Sequence, residues 1–175
     1  MELETTRLIL RDLTIDDIEN LFLLDSDAVV MKYFARPPLT DKNAVRSGIE
    51  KKMHYNKNNP GFGFWAVAEK KSNSFVGQFS LSHIEFDREK EIEIGFRFLQ
   101  RFWGLGYATE MAHEVIKHGF KNSGLDKIVA LTHPDNLASQ KVIEKIGLKY
   151  IRDDFYYNTN LRFYEITRKN SFAAR

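Results

Sequence analysis

Two glycines ahead of a long amphipathic segment are the residues whose spacing most plainly suits chemistry in this 175-residue chain. Gly104 and Gly106 follow a strand predicted to end near Leu99, and a helix is predicted to begin at Tyr107. The first turn of a helix exposes backbone amides without partners inside the helix, and glycine lets a phosphate approach them closely. The pattern favours an anion site, although two glycines before a helix are also typical of a plain tight turn.

Two nucleotide-binding loops can be compared with this one. A P-loop ends in Gly-Lys-Ser/Thr, whereas this loop has Gly106-Tyr107-Ala108. A dinucleotide-binding loop needs a third glycine where Thr109 stands and an acidic residue about 20 residues further on. Asp126 lies near that distance, but the preceding strand follows others in an antiparallel order and does not open a βαβ unit. Both alternatives are therefore disfavoured.

The rest of the chain predicts the elements that must position this loop. Alternation and turn residues predict strands at Arg7 to Arg11, Gly63 to Lys70, Phe75 to Ile84, Glu91 to Leu99, Lys127 to Thr132, Leu148 to Arg152 and Leu161 to Arg168. Apolar periods of three and four predict helices at Ile15 to Leu24, Asp41 to Tyr55, Tyr107 to Lys121 and Leu137 to Ile146. Thr14 and Thr40 are the predicted N-caps of the first two helices, and Asp87-Arg88 is a predicted turn. The order predicts a mixed α/β fold in a single domain over residues 1–175.

Composition excludes several classes of protein. A net charge of +2 leaves no basic footprint for nucleic acid or for a membrane surface, and no run approaches the about 20 apolar residues that cross a bilayer. The chain has no cysteine, which excludes disulfides, thiolate metal sites and a cysteine nucleophile. Its five histidines show no recognised ligand spacing, so no metal is expected. We expect a cytoplasmic protein with neither a nucleic-acid nor a membrane partner.

Four blocks of residues resemble one enzyme superfamily. Arg101-x-x-Gly104-x-Gly106 is similar to the R/Q-x-x-G-x-G/A signature of the GNAT N-acetyltransferases. The other blocks appear in the expected order: Thr6 to Arg11 before an acidic helix start, Glu93 to Phe96, and Asn136 to Ser139 followed by Lys145 to Leu148. Within the superfamily the chain looks like the RimJ/RimL-like branch of ribosomal-protein N-terminal acetyltransferases.

This resemblance implies a fold and a cofactor site. The implied fold has a central, mostly antiparallel sheet of six to seven strands with flanking helices and one splayed parallel pair, and acetyl-CoA lies in the gap of that pair. The backbone of the strand at Phe96, Arg97 and Phe98 would pair with the pantetheine arm, and Asn136 would bond the pantetheine or the helix after it. Backbone amides would hold the pyrophosphate along the loop, namely at Arg101, Phe102, Trp103, Gly104, Leu105, Gly106, Tyr107, Ala108 and Thr109.

Acetyl transfer to an amine needs a base and a proton donor. An amine must lose its proton before it attacks a thioester, and a carboxylate can accept that proton. Glu93, on the strand beside the cofactor, is the candidate base, with a solvent-facing strand charge as the alternative. Ser139 is predicted to bind the cofactor near its sulfur and to protonate the leaving thiolate, with a plain helix-surface residue as the alternative. Direct transfer in a ternary complex is expected, and a Ser139 nucleophile activated by His133 is disfavoured.

The predicted function is transfer of acetyl from acetyl-CoA to a primary amine, either a protein N-terminal α-amine or a small-molecule amine. A non-catalytic acyl-CoA-binding or sensing module of the same fold is the alternative. The segment from Ala35 to Pro60, which would border the acceptor, has no diagnostic pattern. Lys51-Lys52 is interpreted as a solvated helix face. Several aromatic residues could line an acceptor pocket, although strand packing is the favoured interpretation: Phe62, Phe64, Trp65, Tyr156, Tyr157, Phe163 and Tyr164. A homodimer is expected only because it is the commonest oligomer.

Overall fold

The computed structural model describes residues 2–86 and 89–172, and one twisted sheet runs through them. Its strands are β1 (Leu3–Glu4), β2 (Leu8–Asp12), β3 (Gly63–Glu69), β4 (Phe75–Phe86), β5 (Glu89–Phe98), β6 (Lys127–Thr132), β7 (Lys149–Tyr156) and β8 (Thr159–Thr167). The helices are α1 (Ile18–Ser26), α2 (Lys42–Asn58), α3 (Tyr107–Lys121), α4 (Leu137–Lys145) and α5 (Arg168–Phe172). The predicted turn at Asp87-Arg88 lies outside the described residues.

The strands are arranged in the order β1-β2-β3-β4-β5-β6-β8-β7. Every neighbouring pair is antiparallel except β5 and β6, which are parallel. The predicted fold class, a mostly antiparallel sheet with one parallel pair and flanking helices, is confirmed. The sheet has eight strands against the six to seven expected, because the two-residue β1 is too short to show a periodic pattern.

Helix α3 covers one face of the sheet. Its buried residues recur at steps of three and four, as predicted, and its apolar side packs on β3, β4 and β5 in the largest core cluster. Gly119 lies so close to β6 that a Cβ there would stand 2.9 Å from the Ile128 Cδ1 atom. The predicted bounds of this helix, Tyr107 to Lys121, are those of the structure.

Helices α1 and α2 cover the opposite face. A second core cluster joins Leu21 and Leu24 of α1, Val45 and Ile49 of α2, and Ala66 of β3. Thr14, the predicted cap of the first helix, is the N-cap of a 3-10 turn at Ile15–Asp17, and Asp17 is the N-cap of α1. The predicted cap of α2 was wrong by one residue, because the side chain of Asp41, not of Thr40, accepts the amide of Asn43.

Candidate active site

The loop before α3 presents backbone amides to solvent. Gly104 (φ +75°) and Gly106 (φ +79°) both adopt the left-handed conformation that favours glycine. Helix α3 has no side-chain cap, and its first bond in the chain direction runs from the Glu110 amide to the Gly106 carbonyl. Within residues 2–86 and 89–172, no group accepts a hydrogen bond from the amides of residues 104 to 109. The arrangement fits a bound diphosphate, because these six consecutive amides lie in the loop and first turn at the positive end of the α3 dipole.

An N-terminal arginine braces this helix start. The Arg7 side chain donates to Glu110 (Nε to Oε2, 2.7 Å), and its backbone amide donates to the same carboxylate (3.0 Å). The Arg7 guanidinium also lies over the Tyr107 ring, 4.5 Å from the ring centre. Tyr107 in turn donates to Glu69 at the end of β3. The predicted strand at Arg7 therefore fixes the position of the loop, a role that the sequence reasoning missed.

Strands β5 and β6 touch at one place and then diverge. Their register in the described chain is the single pair Glu93 and Val129. The backbone groups of successive residues in a strand face opposite edges. Because the Leu99 amide donates to Val76 of β4, the backbone groups of Phe96 and Phe98 face the opposite edge, toward β6. The Phe98 carbonyl on this edge accepts the Trp103 indole N–H at 2.7 Å. The Phe96 groups remain available for an extended ligand in the gap, such as the pantetheine arm.

Glu93 stands where the two strands part. Its carboxylate accepts the backbone amide of Leu131 in β6, so the side chain lies in the gap and not in bulk solvent. Burial raises the pKa of Glu93 to about 7, and the Leu131 hydrogen bond only partly opposes that effect. A carboxylate with this pKa is half ionised near neutral pH, which suits proton transfer.

The turn between β7 and β8 closes over Glu93. Tyr156 donates its hydroxyl to the Glu85 carbonyl of β4 and packs with Val129 and Phe163. Tyr157, next in the turn with φ 49°, lies close enough to Glu93 for that negative charge to raise the pKa of its hydroxyl, in addition to burial. The sequence names Tyr157 as one of several aromatic residues that could line an acceptor pocket but favours strand packing, because a turn residue with positive φ carries no strand signal of its own.

The third part of the site is the start of α4. The Asn136 side chain accepts the Ser139 amide at 3.1 Å and so caps α4. Of the two partners predicted for Asn136, the pantetheine or the following helix, the structure shows the helix. In the described part of the chain the Ser139 hydroxyl has no hydrogen-bond partner, and its residue is partly exposed. His133 stacks on Tyr33 (ring centres 5.3 Å apart), and its Nδ1 accepts the Asp135 amide. Because Nδ1 accepts, the proton of the neutral His133 ring is on Nε2, which then cannot take a proton from Ser139. This weakens the alternative of a His133-activated serine.

Arg101 and Lys52 differ in their surroundings. Arg101 is exposed, and its guanidinium lies 4.9 Å from the Phe102 ring centre. Lys52 does not share the solvated face predicted for Lys51-Lys52, because it points toward the sheet and donates to Gln78 at 3.3 Å. No group of three or more His, Asp or Glu side chains that could hold a metal occurs among residues 2–86 and 89–172. No described helix is long and apolar enough to cross a membrane.

A comparison with protein families decides the identity of the fold. The model of the acetyltransferase (GNAT) domain matches residues 7–149, which include the loop, the diverging strands, Glu93 and Ser139. The chain belongs to this family. The predicted GNAT superfamily is thereby confirmed, and so is the class of enzyme, an acetyltransferase.

Two relatives and one solved structure match most of this chain. The YkkB protein of Bacillus subtilis is 33% identical over 94% of each chain. An FsC-acetyl coenzyme A-N(2)-transacetylase of Aspergillus fumigatus is 34% identical over 87% of this chain and 67% of its own. A GNAT-family acetyltransferase of Bacillus anthracis superposes with a TM-score of 0.82 at 27% identity, over 97% of this chain and 99% of that one.

A RimL ribosomal alpha-N-protein acetyltransferase solved with coenzyme A has the same fold, and the RimJ/RimL-like branch stays a prediction. The RimL structure superposes with a TM-score of 0.81 at 17% identity, over 95% of this chain and 98% of that one.

Proposed function

We propose that this protein transfers the acetyl group of acetyl-CoA to a primary amine, which attacks the thioester directly in a ternary complex. The observation that carries the proposal is the continuous path from the unpartnered amides of residues 104 to 109, along the open β6-facing edge of β5, to the carboxylate of Glu93. A diphosphate, an amide-bearing arm and a thioester follow one another in acetyl-CoA in that order. One eight-stranded sheet carries the whole path, which supports a single acetyltransferase domain.

The residues of the site divide the chemistry between them. Glu93 takes the proton from the incoming ammonium, because its pKa of about 7 lies close to the working pH. The amine nitrogen then bonds to the thioester carbon, the C–S bond breaks, and the electron pair leaves on sulfur. The second proton of the attacking nitrogen passes to that thiolate through Ser139, whose hydroxyl donates its proton to sulfur as it accepts this one from nitrogen. Tyr157 shields Glu93 from water on the hairpin side.

The acceptor is drawn from two classes. The Aspergillus fumigatus relative is named an N(2)-transacetylase, and a structural neighbour is a spermidine N-acetyltransferase solved with CoA and spermine. The RimL neighbour is an alpha-N-protein acetyltransferase. Both small-molecule amines and peptide α-amines are therefore candidates for this chain, and the fold alone does not choose between them.

Release of free thiol from acetyl-CoA in the presence of an amine panel tests the proposal. We expect thiol release to depend on an added amine and to yield one acetylated product per thiol. Tight CoA binding without consumption of any amine in a panel of peptides, polyamines and amino sugars would instead favour the acyl-CoA-binding module. Thermal stabilisation by ATP or NAD, but not by CoA, would contradict the assignment of the loop.

A further inference from the structure

A group of charged side chains lies under α1 and α2, on the sheet face that also carries Glu93. We call Asp25, Arg36, Lys52, Gln78 and Arg97 the cationic cluster. Arg97 binds the Asp25 carboxylate and donates to the Gln78 Oε1 atom at 2.6 Å. Lys52 donates to the same oxygen at 3.3 Å, and Arg36 reaches Asp25 at 3.1 Å. Three cations thus share one carboxylate and one amide oxygen.

The cationic cluster lacks an acceptor. Gln78 is 5% exposed, and its side-chain nitrogen has no hydrogen-bond partner among the described residues. The orientation of this amide is well determined, because its oxygen must face the two cationic donors, Arg97 and Lys52. A buried amide N–H without an acceptor is costly, as is an excess of buried positive charge. Both costs disappear if an anion binds beside Gln78.

The pKa of Lys52 reflects the same excess of positive charge. Burial, followed by the positive charge of Arg97, lowers the pKa of Lys52 to about 8, and Asp25 only partly opposes this. An arriving negative charge would favour the protonated lysine. Asp25 cannot serve as that charge, because Arg97 and Arg36 already bind it.

The sheet register connects the cationic cluster to Glu93. On β4 and β5 the cross-strand pairs Gln78 with Arg97, Ser80 with Gly95, and Ser82 with Glu93 all lie on one face. Gly95 carries no side chain in this row, and among the described residues the one atom within 4 Å of the position of its Cβ is the Ser80 Oγ atom, at 2.7 Å. Four residues separate Glu93 from Arg97, which is about 13 Å along a strand. Gly95, Arg97 and Lys52 are all partly exposed.

We propose that the cationic cluster is the acceptor-recognition subsite of this enzyme, and that it binds a carboxylate of the acceptor while the amine of the same molecule lies at Glu93. The inference rests on the proposed acetyl transfer and narrows its substrate class to acidic amines. Lys52, Arg97 and the Gln78 amide donate to the carboxylate, and the row through Ser80 and Gly95 holds the chain between the two groups. The span favours an extended acceptor, such as a long ω-amino acid or a short peptide with an acidic side chain.

A series of ω-amino carboxylates of increasing length, each compared with its own carboxamide, tests this subsite in the thiol-release assay. We expect kcat/KM to favour the carboxylate by at least about tenfold at the best length, which corresponds to one charge-assisted contact. Lys52→Met should reduce that preference by about tenfold. Lys51→Met, a change at the neighbouring exposed lysine of α2, should leave it unaltered.

A second variant tests the same subsite without removal of a cation. Gln78→Glu places a carboxylate inside the cationic cluster, so the protein should remain folded and lose its preference for acidic acceptors. Equal turnover of carboxylates and carboxamides by the native enzyme would overturn the subsite and leave acetyl transfer intact. Absence of thiol release with every amine would overturn the proposed function itself. A KM for acetyl-CoA that rises equally with all acceptors in Lys52→Met would assign the cationic cluster to the cofactor, which also contradicts the inference.

Discussion

The proposed cofactor side and the proposed acceptor side of this enzyme consist of different groups. The cofactor side uses backbone amides from one short run, residues 104 to 109, and a free strand edge. The acceptor side uses side chains from Asp25, Arg36, Lys52, Gln78 and Arg97, which the fold brings together from distant positions. A group shared by all substrates can be held by the main chain, whereas a group particular to one acceptor needs particular side chains.

The two sides also differ in what they cost the fold. Backbone amides at a helix start have no partner inside any helix, so a diphosphate site made of them does not lower the stability of the fold. The cationic cluster buries an amide N–H without an acceptor and a partly desolvated lysine. A substitution on the cofactor side should therefore lower activity with no gain in stability, whereas removal of a cation on the acceptor side should lower activity and raise stability.

The largest expected effect is at Glu93, between the two sides. Glu93→Gln should lower kcat by about 10²- to 10⁴-fold, because the base is lost. The native kcat should fall as the pH drops through about 7, where Glu93 becomes protonated, and that limb should be missing in the variant. A pH–rate profile of both proteins measures this. A variant that keeps the native limb would show that another group is the base.

The same variant separates chemistry from folding. The folded-state pKa of Glu93 lies above its ordinary value, so the native protein loses stability as the pH rises from about 4.5 to about 7. Glu93→Gln should therefore raise the free energy of unfolding at pH 7.5 by up to about 3 kcal/mol, measured by urea denaturation. Exposed Glu50→Gln is the matched control and should change neither quantity.

The next effect concerns Gly104 in the loop before α3, and Gly124, which lies outside the loop, provides a matched control. A Cβ at Gly104 would meet no atom within 4 Å, and the same holds at Gly124, which lies beyond α3 and also has positive φ. Alanine at either position should cost about 1–2 kcal/mol of backbone strain. Only Gly104→Ala should also raise the KM for acetyl-CoA, by at least about tenfold, because the methyl group obstructs the diphosphate. Equal KM values in the two variants would contradict the assignment of the loop.

A smaller effect is expected at the start of α4. Ser139→Ala should lower kcat by about tenfold and leave stability unchanged, since its hydroxyl has no partner in the described chain. Asn136→Ala should instead cost about 1 kcal/mol of stability, because the α4 cap is lost. Steady-state kinetics and thermal unfolding of the two variants distinguish these roles. A stability loss in Ser139→Ala would make this residue structural.

The smallest effect tests the cost of the acceptor side. Lys52→Met should stabilise the protein by about 1–2 kcal/mol at pH 7, because a partly buried cation near Arg97 is removed. The folded-state pKa of about 8 lies below the ordinary value of 10.5, so native stability rises as the pH increases from about 8 to 10.5. The difference between the variant and the native protein should shrink over that range. Urea denaturation at pH 7 and pH 10 measures it, and a difference that grows with pH would contradict the account.

The contrast between the two sides also explains what the sequence could predict. The loop, α3 and the Glu93 strand follow from local patterns: two glycines, a period of 3.6, and a run of alternating residues. Lys52 was placed on a solvated face because its neighbours in sequence are polar. Its true neighbours, Gln78 and Arg97, come from strands of the sheet that α2 covers. The role of Arg7 was missed for the same reason, since its partner Glu110 is set by tertiary packing. Tyr157 was a candidate for an acceptor pocket, but its position near Glu93 is likewise set by tertiary packing.

A crystal structure of the complex with acetyl-CoA tests the central claim most directly. The account predicts diphosphate oxygens within hydrogen-bonding distance of the amides of residues 104 to 109, backbone pairing of the pantetheine arm with Phe96, and the thioester beside Glu93. A diphosphate bound elsewhere, or a thioester remote from the point where β5 and β6 diverge, would contradict it.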